Sequence, residues 1–219
     1  MNMTTKKQAE DLTQSAGQAL PPITRNFAPA ELVRLVYREV LPGDLAKFQG
    51  KSNLTPSGGG ARDFRFRPYS KFQGIFEKLL SGRKTETRIR KGLPTATLIY
   101  TDTVTVTDAT GTASTRQIEF EPPTTARDDE GRLPRLNAYG MVVPTGAVGR
   151  VFLLLYQTGN GNLFLNFATE TDLRTGAWNA TVARHLLDCL DEERPANHAA
   201  QGFFDLSSGE SFCKSKGSI

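Results

Sequence analysis

The sequence predicts an α+β protein: a mainly antiparallel, barrel-like set of strands with a short helix inserted and a helix flanking each end. Three observations lead there. Short runs rich in threonine, valine and isoleucine recur between turn signals. One segment places Phe72, Ile75, Phe76, Leu79 and Leu80 at i, i+3, i+4, i+7 and i+8, the spacing of a helix with one buried face. Two apolar runs, 151–157 and 163–169, flank Thr158-Gly-Asn-Gly-Asn162, which is hairpin chemistry.

Residues 1 to 27 are polar and without period, and read as a leader. A first helix is expected over 30–41, because Leu32, Leu35, Val36 and Val40 recur at helical spacing until Pro42-Gly43 stops them. Residues 46–52 suit a short strand, and the proline, serine and glycines from 53 to 60 suit a loop. A strand ending at Pro68 leads into the inserted helix, 70–80. Strands are then expected over 85–91, 95–107 and 115–121, with a turn at 108–111. A charge-dense segment, 124–139, and a glycine and proline loop, 140–149, precede the hairpin. A closing helix over 178–190 turns Trp178, Val182 and Leu186 inward, and the acid-leaning remainder, 191–219, reads as a tail.

With 219 residues, 38% of them hydrophobic, the chain can bury one core, so a single domain over 28–190 is expected. No apolar run approaches the length that spans a membrane, and the first residues lack the apolar stretch of a secretory signal. Cys189 and Cys213 make no disulfide framework, so the expected setting is a reducing cytoplasm.

Charge is distributed unevenly. Between Ala61 and Lys91 stand ten lysines and arginines against Asp63, Glu77 and Glu86, a local excess of +7 in a chain whose total is +4. A concentrated basic field of this kind is what a nucleic-acid partner selects, although a solvated basic face reads the same way. Its first part is Ser57-Gly58-Gly59-Gly60-Ala61-Arg62-Asp63-Phe64-Arg65-Phe66-Arg67-Pro68-Tyr69. The glycines permit close backbone approach, or a bulge at a sheet corner. Strand alternation sets Phe64 and Phe66 on a core face and Asp63, Arg65 and Arg67 on the other.

The order of these features resembles the N-terminal effector-binding domain of the restriction endonuclease EcoRII, a DNA-binding pseudobarrel related to plant transcription-factor domains and to the DNA-reading domain of BfiI. The likeness covers about residues 46–175. It rests on a glycine-led arm, 55–69, a short amphipathic helix, 70–80, and a strand run. A second charged arm, Arg127-Asp-Asp-Glu-Gly-Arg-Leu-Pro-Arg135, and the apolar strand pair complete it. The resemblance implies two arms that grip a duplex and read base edges. Gly59, Arg62, Arg65 and Arg67 would belong to the first, and Arg127, Glu130, Arg132, Arg135 and Asn137 to the second, with Lys71 on a phosphate. Arginine can fork onto guanine, asparagine can pair with adenine, and a carboxylate can accept from cytosine. The chain departs from the family in three respects: Gly60-Ala61 stand where larger base-readers are expected, acids crowd the second arm, and a nuclease domain after the module is not expected. The charges of the second arm can equally form ion pairs among themselves.

Sites for other chemistry are sparse. His185, Cys189, His198 and Cys213 are a conceivable zinc set without a known spacing, and core packing for Cys189 with a solvated tail for the others fits better. Glu119 and Glu121 share a strand face, with Asp63 a possible neighbour, but the lysine of a metal-dependent nuclease site is missing. The expectation is a non-enzymatic module, without cofactor or metal. It reads sequence or modification in double-stranded DNA within a restriction or phage-defence system, with a separate effector chain as a possible partner and no membrane. The alternatives are a protein-interaction subunit docking through helix 30–41 or the closing helix, and a metal-dependent nuclease.

Overall fold

The computed structural model describes residues 32–48, 63–90, 92–108, 110–123, 129–144, 149–176, 178–191 and 199–214. The fold is mixed α+β and dominated by a mostly antiparallel sheet. Among the described residues the strands are β1 (Leu32–Glu39), β2 (Phe64–Phe66), β3 (Gly82–Arg90), β4 (Leu93–Thr107), β5 (Ala113–Phe120), β6 (Gly131–Leu133), β7 (Val151–Thr158), β8 (Leu163–Thr169), β9 (Gln201–Asp205) and β10 (Glu210–Lys214). Three helices, α1 (Tyr69–Leu79), α2 (Glu170–Arg174) and α3 (Ala180–Asp191), complete it. Eight strands form one sheet in the order β10-β9-β1-β7-β8-β4-β3, with β5 also on β4, and β2 pairs with β6 apart from it. Among the described residues neither sheet closes into a barrel.

At its centre the large sheet is covered on both faces. Along β7, Val151, Leu153 and Leu155 enter one core with α1 and the β2–β6 pair, while Phe152, Leu154 and Tyr156 enter a second core with α2 and α3. Burial on both faces erases the alternation that marks a half-exposed strand.

That is why 30–41 was misread. Residues 32–39 form β1, an inner strand bonded to β7 on one edge and β9 on the other. Its Val36 faces the first core and Leu35 and Tyr37 the second, and with a register irregularity between Leu32 and Arg34 the apolar positions fall by coincidence at helical spacing. The flanking N-terminal helix is therefore corrected to a strand, and docking through it is withdrawn, because both edges are occupied.

The expected tail is corrected too. Residues 201–205 and 210–214 form the hairpin β9–β10, which extends the sheet beyond β1. Its serine and glycine are the turn, and the alternating aromatics Phe203 and Phe212 pack into the first core. Cys189 of α3 and Cys213 of β10 form a disulfide, so the expectation of two separate thiols is also corrected. Residues 46–47 belong to a 3-10 turn, Pro42–Lys47, where a strand was expected; 49–52 lie outside the described residues. Helix α2 went unforeseen because five residues are too few to show a period, although Thr169 and Asp172 form a capping box at its start. Among the described residues no helix is long and apolar enough to cross a membrane.

Candidate nucleic-acid interface

The two stretches read as arms meet. β2 and β6 run antiparallel, with Phe64 opposite Leu133, Arg65 opposite Arg132 and Phe66 opposite Gly131. Phe64, Phe66 and Leu133 are buried, and Phe66 packs edge-on against Phe72 and Phe76 of α1, as the alternation predicts. A side chain at Gly131 would collide with the Phe120 ring and stand 2.9 Å from Tyr69. Glycine is therefore what lets the second arm lie this close to α1. The Tyr69 amide points to Asp129, 3.1 Å from its carbonyl oxygen and 3.0 Å from Oδ1, fixing the other end.

The opposite face carries charge in register across several strands. Glu121, just past β5, pairs with Arg132 through backbone hydrogen bonds in both directions at 2.8 Å, which joins the small sheet to the large one. Arg132 reaches Glu121 at 2.5 Å and Asp63 at 3.4 Å. Glu121 also takes Arg88 at 2.6 Å, and Arg88 takes Glu86 at 3.0 Å. Lys84 binds Glu119 at 2.6 Å and Glu86 at 2.7 Å, while Arg135 binds the other Glu119 oxygen at 2.7 Å. Arg65 lies 3.5 Å from Glu130, and Arg67 is in direct contact with it.

These pairs set the protonation states. Burial pushes the Asp63 carboxyl up, against the pull of Arg132. Hydrogen bonds from Lys84 and Arg88 hold Glu86 below its ordinary value, and the bond to Glu119 raises Lys84. Burial lowers Arg88, but its bonds to Glu121 and Glu86 more than offset that and leave it raised. Lys84, Glu86 and Arg88 are thus each shifted towards the charged form, which lets Coulomb attraction act between them.

The basic excess seen in the sequence is thus partly compensated in space. Glu119, Glu121, Glu130 and Asp205 all come from outside 61–91 and bind cations within it. Of the predicted DNA contacts, Arg65, Arg67, Glu130, Arg132 and Arg135 all enter ion pairs here, with Glu130 the most enclosed at 6% side-chain exposure and Arg132 next at 19%. Lys71 is exposed on the first turn of α1, its backbone amide donating to the Pro68 carbonyl at 3.1 Å, and its side chain makes no hydrogen bond or ion pair with the described residues. Asn137 is half-buried in the 3-10 turn Leu136–Tyr139. Gly59, Arg62 and Arg127 lie outside the described residues.

Arg135 has φ of 57°, in the left-handed region unfavourable to a residue with Cβ. It lines a cleft of about 200 Å³ with Arg116, Gln117, Glu119 and Tyr139. Arg116 and the ladder cations Lys84 and Arg88 were not singled out as contacts from the sequence. The signal for the ladder was present in Lys84-x-Glu86-x-Arg88 and Glu119-x-Glu121, where alternate residues share a strand face.

The other candidate chemistries fare differently. Asp63 and Glu121 share Arg132, which pairs with both carboxylates. Among the described residues no group of three or more His, Cys, Asp or Glu could hold a metal ion. The disulfide removes Cys189 and Cys213 as thiolate ligands, His185 bonds to the Tyr37 hydroxyl at 3.2 Å, and His198 lies outside the described residues. Neither a comparison with known family models nor one with curated proteins finds a match to this chain.

Proposed function

We propose that this protein binds double-stranded DNA with two arms rooted side by side, as the resemblance to the EcoRII effector-binding domain implies. In this reading it senses sequence or base modification and performs no chemistry itself. It works in a restriction or phage-defence setting and passes the binding event to a separate effector chain. The observation that carries the reading is the β2–β6 ladder, because it joins the two stretches that carry the resemblance.

The roles within the arms divide by burial. Arg65 with Glu130, and Arg132 with Glu121 and Asp63, hold the roots together, and these pairs keep the platform from repelling itself. Contact with DNA falls to Lys71, to the half-exposed Arg67 and to the arm segments carrying Gly59, Arg62 and Arg127. The pseudobarrel belongs to the same reading, supported by the Glu121–Arg132 bridge, which links β3-β4-β5-β6-β2 into one strand path without closure.

Selection of bound duplexes from a random library, with and without base methylation, tests this. Enrichment of one motif or one methylation state is expected. A selected pool indistinguishable from its input would remove the reading.

A further inference from the structure

The outer edge of β5 is only partly occupied. β5 pairs with β4 along one edge, and alternate residues of an antiparallel strand turn their N–H and C=O groups to opposite edges. On the outer edge Glu121 exchanges both bonds with Arg132, and the Glu119 amide meets the Tyr139 hydroxyl. Gln117, two residues earlier, therefore turns its N–H and C=O outward as well, and among the described residues no backbone partner takes them. This edge opens on the cleft of about 200 Å³, which Arg116, Gln117 and Glu119 line from β5 and Pro134, Arg135 and Tyr139 line from the chain beyond β6.

The lining says what the cleft takes. The Arg116 side chain is exposed and makes no hydrogen bond or ion pair with the described residues, while both Glu119 oxygens are already answered, by Lys84 and Arg135. The surplus charge is therefore positive, and it stands beside an unused N–H donor. Guanidinium groups and backbone amides together are what hold a phosphate. Arg135 keeps a left-handed backbone, φ 57° and ψ 39°, the only such non-glycine residue among those described. A residue with Cβ is strained there, and strain of this kind collects where a side chain is aimed at a ligand. Size narrows the choice. A whole small-molecule ligand needs roughly 300–1,000 Å³, so this cleft suits one group of a larger molecule.

We infer that this cleft is a phosphate site, in which Arg116, Arg135 and the Gln117 amide hold one sugar phosphate of the DNA backbone at the end of the second arm. The inference rests on the DNA-binding reading. Two measurements on the full chain test it. Fluorescence anisotropy with a labelled duplex of about 30 base pairs, roughly three helical turns, compares the parent with Arg116→Ala and Arg135→Gly. The control of equal charge is Arg184→Ala, exposed on α3, which packs on the other core. Arg116→Ala and Arg135→Gly should each weaken binding by about threefold or more and lessen the salt slope by about 1, with Arg184→Ala changing neither. Arg135→Gly should do so without a fall in melting temperature, because glycine adopts the left-handed region freely. In amide spectra, deoxyribose 5-phosphate should move the Gln117 resonance, and Arg116→Ala should abolish the movement. Equal losses from Arg116→Ala and Arg184→Ala, or a Gln117 amide that duplex binding leaves in place, overturn the cleft alone. A parent that ignores the duplex at every salt concentration, while the sugar phosphate still moves Gln117, overturns the DNA-binding reading and supports a site for a free sugar phosphate. Acetate that moves Gln117 as far as the sugar phosphate does overturns the phosphate assignment in favour of a carboxylate.

Discussion

Glu121 and Arg132 face each other as a strand pair, exchanging two backbone hydrogen bonds of 2.8 Å and closing a side-chain ion pair of 2.5 Å. This contact fastens the small sheet to the large one. It also changes what the second arm can do: an arginine expected to read a base is instead spent on holding the arm's root.

Removing that arginine leaves a buried carboxylate with only Arg88 to answer it. Arg132→Ala should therefore cost about 2–3 kcal/mol, measured by urea unfolding, because an enclosed charge that loses a partner costs more than an exposed one. Arg135→Ala, whose side chain is 63% exposed, should cost under about 1 kcal/mol.

Gly131 sits where the Phe120 ring allows no Cβ. Gly131→Ala should destabilise the fold by about 1–3 kcal/mol through overpacking. If its effect is spread evenly over the amide spectrum, with no focus on 63–69 and 129–133, the proposed close approach is not what the glycine provides.

Asp205 gives stability an acid limb. Burial pushes its carboxyl up, but hydrogen bonds from Lys78 at 2.8 Å and from Ser207, with the Lys78 charge, hold it down at about 2. Its folded value lies below the ordinary 3.8, so the stability it contributes is present above that pH and is lost as pH falls from 3.8 to about 2. The contribution is about 1–2 kcal/mol, reduced by water around the part-exposed Lys78. Lys78→Met should shift the acid unfolding midpoint upward, and an unmoved midpoint would assign the limb to another group.

The Cys189–Cys213 disulfide closes a loop of 24 residues between α3 and the edge strand β10. Reduction should cost roughly 3 kcal/mol by loop-closure entropy. Thiol titration of the denatured protein should find no free thiol before reduction and two after it.

The sequence disclosed some parts of this molecule and concealed others, for physical reasons. α1, β3 to β5 and the β7–β8 hairpin were legible because each is covered on one side or bounded by a distinctive turn, so period and punctuation survive. β1 was not, since an inner strand buried on both faces loses its alternation. β9 and β10 were hidden by a turn rich in serine and glycine. At the candidate site, the sharing of one face by Asp63, Arg65 and Arg67 was readable from strand parity. The carboxylate that answers those two arginines was not, because Glu130 arrives from more than sixty positions away through strand pairing.

The central claim is that phosphate contacts remain after the ion-pair network has taken its share of the basic residues. Anisotropy titration of one labelled duplex across a salt series measures this directly. The account predicts a logarithm of affinity that falls linearly with the logarithm of salt, and a slope lessened by about 1 in Lys71→Ala. Affinity that stays flat across the series would contradict it.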